Sequence, residues 1–204
     1  MIAVIDQVKS IGEDESARSE VYSLLGALLV APPAQEVLTV VSRIGSTNEA
    51  VSGGLAKAWE DLRRAGEQAE PGDLEAEYQE LFIGIGRGEL VPYGSWYLTG
   101  FMMDQPLATL RQDLKILGFE RQENITETED HIAALCETMS MIIAAHSEIE
   151  FQTQKKFFDD HLGCWGDLFF KDLQNAKAAN FYRPVGQLGT EFMAFEKQYL
   201  NMSV

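Results

Sequence analysis

Residues 80–100 read ELFIGIGRGELVPYGSWYLTG, and this stretch interrupts a chain whose apolar residues otherwise recur at helical spacing. Just before it, Leu74 and Tyr78 continue a pattern of three- and four-residue steps, which predicts a helix that runs into the stretch. Glycine then occupies every second position of 84–88, and each glycine costs about 1 kcal/mol in a helix interior. We therefore expect the helix to end here and the next one to start near Pro106, a favourable first-turn residue.

The predicted connection is about twenty residues long, beyond the length of about 12–15 residues at which loops are usually functional or disordered. Its composition argues against disorder, because aromatic residues are rare in disordered segments. It carries Phe82, Tyr93, Trp96 and Tyr97. We expect an ordered surface loop held between helices.

Helical periodicity continues on both sides of this loop. The predicted helices cover about residues 15–30, 37–44, 55–62, 73–82, 107–117, 126–143, 150–162, 165–176 and 179–200, after a loose lead-in at 1–13. Pro184 falls inside the last pattern, so that helix either kinks or begins there. No run of alternating apolar residues is long enough to predict a strand.

These patterns predict an all-α protein, a single helical bundle of about eight or nine helices over residues 1–204. A polar connector at 119–125 lies between two well-terminated helices and divides the chain into possible halves, 1–118 and 126–204. Exchange of an element through such a segment is a low-cost route to dimers. The connector therefore predicts a hinge and a tendency to domain swapping.

The charge of the chain narrows its possible partners. Lys and Arg number 16 against 32 acidic residues, which gives a net charge of -16. Nucleic acid is a poor partner, because phosphate binding needs a basic surface. A basic peptide is a better partner, although acidity that only keeps the protein soluble explains the charge equally well.

The cysteine count and the apolar runs of the sequence indicate the cellular compartment. Two cysteines do not make a disulfide framework. The first residues lack the basic region of a signal peptide, and no apolar run approaches the ~20 residues that span a membrane. We expect a cytoplasmic protein without a membrane span.

Motifs for catalysis or metal binding are weak. The glycines at 84–88 follow a predicted helix and lack a Gly-Lys-Ser/Thr sequence, so they indicate a structural turn rather than a nucleotide cradle. His131 and Cys136 lie five apart on one predicted helix and point in different directions, so with His161 and Cys164 they do not predict a metal site. No Ser-His-Asp or Cys-His arrangement is present, and we expect no enzymatic activity.

An acidic cluster precedes His131 and has two interpretations. Glu127, Glu129 and Asp130 crowd the start of a predicted helix that opens with a capping-box pattern at Thr126. Acidic residues there complement the helix dipole, which accounts for one or two of them. Alternatively, they form a patch that accepts hydrogen bonds from arginine guanidinium groups.

Three segments together carry a resemblance to a known family. They are Glu77-Tyr78-x-x-Leu81-Phe82-x-Gly84-x-Gly86, Pro92-Tyr93-Gly94-Ser95-x-Tyr97-Leu98-Thr99-Gly100 and Glu127-x-Glu129-Asp130-His131. They resemble the TorD/DmsD family of redox-enzyme maturation chaperones, and the similarity covers most of the chain. Two positions depart from it: this chain has Pro-Tyr-Gly-Ser where some members have Pro-Trp-Gly-Ser, and Thr128 where many have Pro.

The resemblance implies an all-α, non-catalytic chaperone for a molybdopterin oxidoreductase. Such a chaperone binds the twin-arginine signal peptide of its client and holds back export until the cofactor is inserted. Members form monomers and domain-swapped dimers. Some have been linked to guanine nucleotide or the molybdenum cofactor, so we expect no cofactor beyond weak binding of one of these.

The expected peptide-binding residues combine the aromatic loop with the acidic cluster. They are Leu81, Phe82, Tyr93, Gly94, Ser95, Trp96, Tyr97, Glu127, Asp130 and His131. Aromatic and apolar side chains would take the hydrophobic part of the peptide, and Asp130 would receive an arginine. Two rival hypotheses are a small guanine-nucleotide-binding or hydrolysing protein and an acidic adaptor for a folded partner. The client enzyme stays open.

Overall fold

The computed structural model describes residues 2–43, 53–121, 126–146 and 149–202, with side chains from Asp14 onward. Within these ranges the chain forms ten α-helices and, apart from one isolated β-bridge, no strand. The helices are α1 (Ile2–Val30), α2 (Gln35–Arg43), α3 (Gly54–Gln68), α4 (Pro71–Tyr78), α5 (Gly94–Thr99), α6 (Gln105–Ile116), α7 (Ile132–Ala144), α8 (Phe151–Phe157), α9 (Gly166–Asn175) and α10 (Tyr182–Met202). The predicted all-α fold is confirmed, with one helix more than the sequence indicated.

A single hydrophobic core joins the two halves of the chain. Tyr22 and Leu25 of α1 pack into the same core as Leu135 and Met139 of α7. On the other side, α10 lies against α3 and α9. Gly189 permits the α9 contact, because a Cβ there would lie 2.1 Å from Cδ1 of Phe170.

The first and last helices are also joined by a buried ion pair. The Arg18 guanidinium donates to both carboxylate oxygens of Glu196, at 2.6 Å and 2.8 Å, and the Tyr22 hydroxyl donates to the same carboxylate. Arg18 is 2% and Glu196 0% exposed. A buried pair with several hydrogen bonds is costly to break, since either partner alone would be an uncompensated charge.

Two helices end in a single π-helical turn. The turn at Gln79–Ile83 continues α4, and the turn at Phe158–Leu162 continues α8. Such turns are rare and occur often at functional sites. Both lie beside the cavities described below.

Two local predictions are wrong, and one alternative that the sequence left open is decided. The loose lead-in at 1–13 is wrong, because α1 begins at Ile2. Helix α7 begins at Ile132, after the acidic cluster, and its cap is His131, so the predicted capping box at Thr126 is also wrong. Pro184 lies in the first turn of α10, where a missing N–H costs nothing, so the helix begins there rather than kinks.

The connector at 119–125 is described only to Arg121, and the rest of this predicted hinge lies outside the described residues.

Within the described ranges, no helix combines the length and the apolar character needed to cross a bilayer.

Candidate functional site

The glycine-rich segment is a tight reversal of the chain. Beyond Gly84, which has φ 60°, the backbone returns so that Leu90 donates to the Leu81 carbonyl at 2.8 Å. A Cβ at Gly88 would lie 2.5 Å from that same carbonyl oxygen, so only glycine fits. This geometry agrees with a structural turn.

Two carboxylates hold this region against the start of the last helix. Glu77 accepts hydrogen bonds from the backbone N–H groups of 180–182, at 2.7–3.0 Å. Glu89, after the reversal, accepts from the N–H groups of Lys177 and Ala178. Both satisfy backbone donors that precede or open α10, as a capping side chain does within one helix.

The two family-like motifs meet in an antiparallel bridge between Tyr93 and His131. The N–H of Gly94 donates to the Asp130 carbonyl at 2.8 Å, and the N–H of Ile132 donates to the Pro92 carbonyl at 2.9 Å. The Tyr93 and His131 rings also contact edge to face, with centroids 5.0 Å apart. The start of α5 and the start of α7 are therefore one structural unit.

Asp130 lies inside this unit. It is 3% exposed, and its Oδ2 accepts from both the backbone N–H and the hydroxyl of Ser95. Its Oδ1 accepts from the Thr128 hydroxyl at 2.6 Å. Both oxygens therefore already have donors from the chain, and the carboxylate satisfies an amide in the first turn of α5.

His131 caps α7 as a neutral imidazole. Its Nδ1 accepts from the N–H of Ala133 at 3.1 Å, which requires that nitrogen to be unprotonated. Burial lowers the pKa of His131 to about 4, against the opposing effect of the Glu127 and Asp130 carboxylates. Glu127 accepts from the Tyr93 hydroxyl, and burial together with this carboxylate raises the pKa of Tyr93.

A first cavity of about 280 Å³, here called the aromatic cavity, opens on one side of Tyr93. Its lining includes the side chains of Phe82, Tyr93, Trp96 and Met102, and the glycine-rich reversal forms another wall. The Arg87 guanidinium lies over the Trp96 ring, 4.6 Å from its centroid. The cavity thus presents two faces, one aromatic and one of backbone.

A second cavity of about 600 Å³, here called the acidic cavity, lies on the other side of α5. Leu98, Leu110 and Trp165 contribute apolar walls. Its charged lining comes from Asp113 of α6, Asp130, and Lys156 and Asp160 of α8 and its π turn. Of these carboxylates, Asp113 and Asp160 lie within ion-pair distance of the Lys156 ammonium group, whereas both oxygens of Asp130 accept hydrogen bonds from the chain.

The structure brings some predicted site residues to these cavities and places others inside the protein. Phe82, Tyr93 and Trp96 line the aromatic cavity, while Gly94 and Asp130 line the acidic one. The remaining predicted residues line neither cavity: Leu81 and Ser95 are 0% exposed, Tyr97 stacks on Trp165, and Glu127 and His131 support the bridge.

Sequence reasoning missed the far wall of the acidic cavity. The sequence pattern predicts ordinary solvent-exposed helix faces at the residues of this wall, which are Asp113, Lys156 and Asp160. The sequence indicates only the ion pair between Lys156 and Asp160, which are four residues apart on a helix, and not the cavity that they line. Among the described residues, no group of three or more His, Cys, Asp or Glu side chains is arranged to hold a metal ion.

Comparison with known proteins was informative at the level of sequence. A family model described as the nitrate reductase delta subunit matches residues 48–171. A TorD chaperone protein of Vibrio parahaemolyticus is 26% identical over 138 residues, 63% of this chain and 64% of that protein. One from Vibrio cholerae is 25% identical over 138 residues, and the match again spans only 63% of that relative's length. One from Aliivibrio fischeri is 25% identical over 203 residues, 90% of this chain and 94% of that protein.

A solved structure resembles most of the chain. It is a protein from Archaeoglobus fulgidus described in terms of redox enzyme maturation, and the two superpose with a TM-score of 0.57. The match covers 87% of this chain and 93% of the other at 17% identity. At that identity the likeness concerns the arrangement of helices.

Proposed function

This chain belongs to the nitrate reductase delta subunit family, the TorD-like group that its motifs indicate, and from this premise we propose that it is a maturation chaperone. Its client would be a molybdopterin oxidoreductase. The chaperone would bind the client's twin-arginine signal peptide in the cytoplasm and hold back export until the cofactor is inserted. The names of the curated relatives, which are TorD chaperones, support the general role.

The observation that carries the proposal is a group of exposed apolar side chains in the segment that borders the two cavities. Of the thirteen large hydrophobic side chains exposed in the described part of the chain, six lie between residues 83 and 103. We call them the apolar surface: Ile83, Ile85, Leu98, Phe101, Met102 and Met103. Exposed apolar side chains concentrated in this way are typical of interaction sites, and methionine adapts its shape to varied partners.

Charge complementarity selects the peptide. A signal peptide with paired arginines and a hydrophobic stretch needs an acidic region next to an apolar one. The chain has a net charge of -16, and two partly exposed carboxylates, Asp113 and Asp160, line the acidic cavity beside Leu98. Positively charged partners are attracted to such a surface and oriented by it.

The predicted site residues divide into two roles in this proposal. Phe82, Tyr93 and Trp96 would contact the hydrophobic stretch in the aromatic cavity. Leu81, Gly94, Ser95, Tyr97, Glu127, Asp130 and His131 would hold the walls of the two cavities in place. The protein would act without catalysis and without a resident cofactor, any binding of guanine nucleotide or molybdenum cofactor being weak.

Calorimetric titration of synthetic leaders tests the proposal. A twin-arginine leader should bind, and the same leader with paired lysines should bind about ten- to a hundredfold more weakly, since lysine lacks the bidentate guanidinium contact. Equal affinity for both leaders would contradict specific recognition. Capture of client protein lacking its leader, at undiminished affinity, would favour an acidic adaptor instead.

A further inference from the structure

The acidic cavity already contains a cation of the chain itself. The Lys156 ammonium group contacts the Asp160 carboxylate and lies 3.8 Å from Oδ2 of Asp113. Asp113 belongs to α6 and Asp160 to the π turn after α8, so two separate elements converge on one ammonium group. The carboxylates are therefore arranged to bind a cation.

This internal cation is weakly held. The side chains of Lys156, Asp113 and Asp160 are 65%, 28% and 48% exposed. Ion pairs at that exposure contribute little to stability, because water screens them and the lysine loses side-chain freedom. An external cation can replace Lys156 without disturbing the core.

Asp113 is better fixed than the lysine. Oδ2 of Asp113 is 2.8 Å from Nε2 of His161, a side chain that is 5% exposed. The His161 carbonyl in turn accepts from the Trp165 indole N–H at 2.8 Å. An acceptor that is held in place suits a planar guanidinium better than a compact ammonium group, since the guanidinium can donate to two oxygens at once.

We infer that the acidic cavity is the arginine subsite of the peptide-binding surface, that Asp113 and Asp160 accept the guanidinium, and that Lys156 is an internal placeholder which the arginine displaces. The inference rests on the proposed function, because the arginine belongs to the signal peptide. Its location differs from the prediction at Asp130, whose two oxygens already accept hydrogen bonds from the chain. The cavity volume of about 600 Å³ is within the range of sites that enclose a ligand.

The neighbouring ion pair offers a control at the same spacing, with the difference that Lys155 is less exposed and also donates to Asn201. Lys155 pairs with Asp159 on the same element and at the same spacing, and neither residue lines the cavity. Lys156→Gln should tighten binding of a twin-arginine leader by roughly two- to fivefold, because it removes an exposed ion pair that competes. Lys155→Gln changes the net charge equally and should have a smaller effect. Asp160→Asn should weaken binding by about tenfold and Asp159→Asn should not.

Equal effects of Lys156→Gln and Lys155→Gln, or of Asp160→Asn and Asp159→Asn, would overturn the inference. A second probe separates it from the proposed function: acetyl-Arg-Arg-amide, followed by NMR of the indole N–H groups. The dipeptide should shift the Trp165 signal and leave Trp59 unchanged, while acetyl-Lys-Lys-amide shifts it less. If the leader does not bind but the dipeptide behaves as expected, the proposed function fails and the subsite stands. If the leader binds and the dipeptide leaves Trp165 unmoved, the subsite is wrong.

Discussion

Ser95 donates twice to one oxygen of Asp130, through its backbone N–H at 2.8 Å and its hydroxyl at 2.6 Å. The two residues are 35 positions apart, and the contact fixes the first turn of α5 to the segment that starts α7. Helix α5 separates the aromatic cavity from the acidic cavity, with Trp96 on one side and Leu98 on the other. The Ser95–Asp130 contact therefore sets the spacing of the two cavities.

Asp130→Asn should lower both stability and affinity. The amide places a donor where Asp130 now only accepts, which costs about 1–3 kcal/mol for a buried, charge-assisted contact. Thermal unfolding and leader titration measure the two effects. In a double-mutant cycle with the twin-lysine leader we expect additivity, since Asp130 acts through α5; a coupling energy above 1 kcal/mol would instead support the sequence prediction that Asp130 receives an arginine.

Trp96 and Tyr97 should separate binding from folding. Trp96→Ala removes a wall of the aromatic cavity and should weaken leader binding with little change in melting temperature. Tyr97→Ala should instead cost about 2 kcal/mol of stability, because its ring stacks on Trp165 with centroids 5.2 Å apart. The sequence predicted that Tyr97 contributes to binding and that Tyr97→Ala leaves the stability nearly unchanged. Tyr97→Phe removes only the hydrogen bond to Asp172 and serves as the milder variant.

Two methionines of equal exposure test the apolar surface. Met102 and Met141 are each 42% exposed, but only Met102 lines a cavity. Met102→Ala should weaken leader binding by roughly three- to tenfold through the loss of apolar contact area. Met141→Ala should leave the affinity unchanged. Equal effects in a titration would mean that the apolar surface does not contact the peptide.

His131 should make stability depend on pH in a defined window. Its pKa is about 4 in the folded protein, below the ordinary value of about 6.5, so the folded state binds fewer protons between these values. The stabilising contribution is complete above about pH 6.5 and is lost as the pH falls toward 4, by up to about 3 kcal/mol.

His131→Asn keeps a capping side chain and removes this titration. Urea unfolding from pH 4 to pH 7 should show a smaller pH dependence for the variant than for the original protein. His146→Asn, at a side chain that is 57% exposed, provides the comparison. If the pH dependence of stability is the same in His131→Asn, the titration of His131 is not its cause.

Domain swapping through the 119–125 connector stays a prediction. Helices α1 and α7 lie on opposite sides of the connector in sequence and pack together, so exchange between two chains would preserve that contact. Size-exclusion chromatography of fresh and aged protein should show monomer and dimer that exchange slowly. A single species over a wide concentration range would argue against swapping.

The sequence indicated most helices because their apolar periodicity is a local property. It did not indicate α5, which has six residues and whose first turn depends on Asp130, a distant side chain. The start of α7 was misplaced for a similar reason. Glu129, the carboxylate of the expected capping box, pairs instead with Arg111, 18 positions away, and His131 caps α7.

The candidate site was predicted only where residue type was unusual. Aromatic residues in a long loop are unusual and indicate a binding site, and so does Asp130 in an acidic cluster. Asp113 and Lys156 give no such indication, because charged residues on a helix surface are ordinary. Their significance comes from the approach of α6 to the π turn after α8, a tertiary relationship that no short stretch of sequence contains.

The ion pair between Arg18 and Glu196 limits how early the protein can complete its fold during synthesis. Its partners are 178 residues apart, so the contact cannot form until nearly all of the described chain has been synthesised. Contacts of such separation also slow folding, because a long loop must close first. We expect the nascent chain to keep its first helix incompletely anchored until α10 arrives. The contact between the first and last described helices would thus be completed only after α10 has been synthesised.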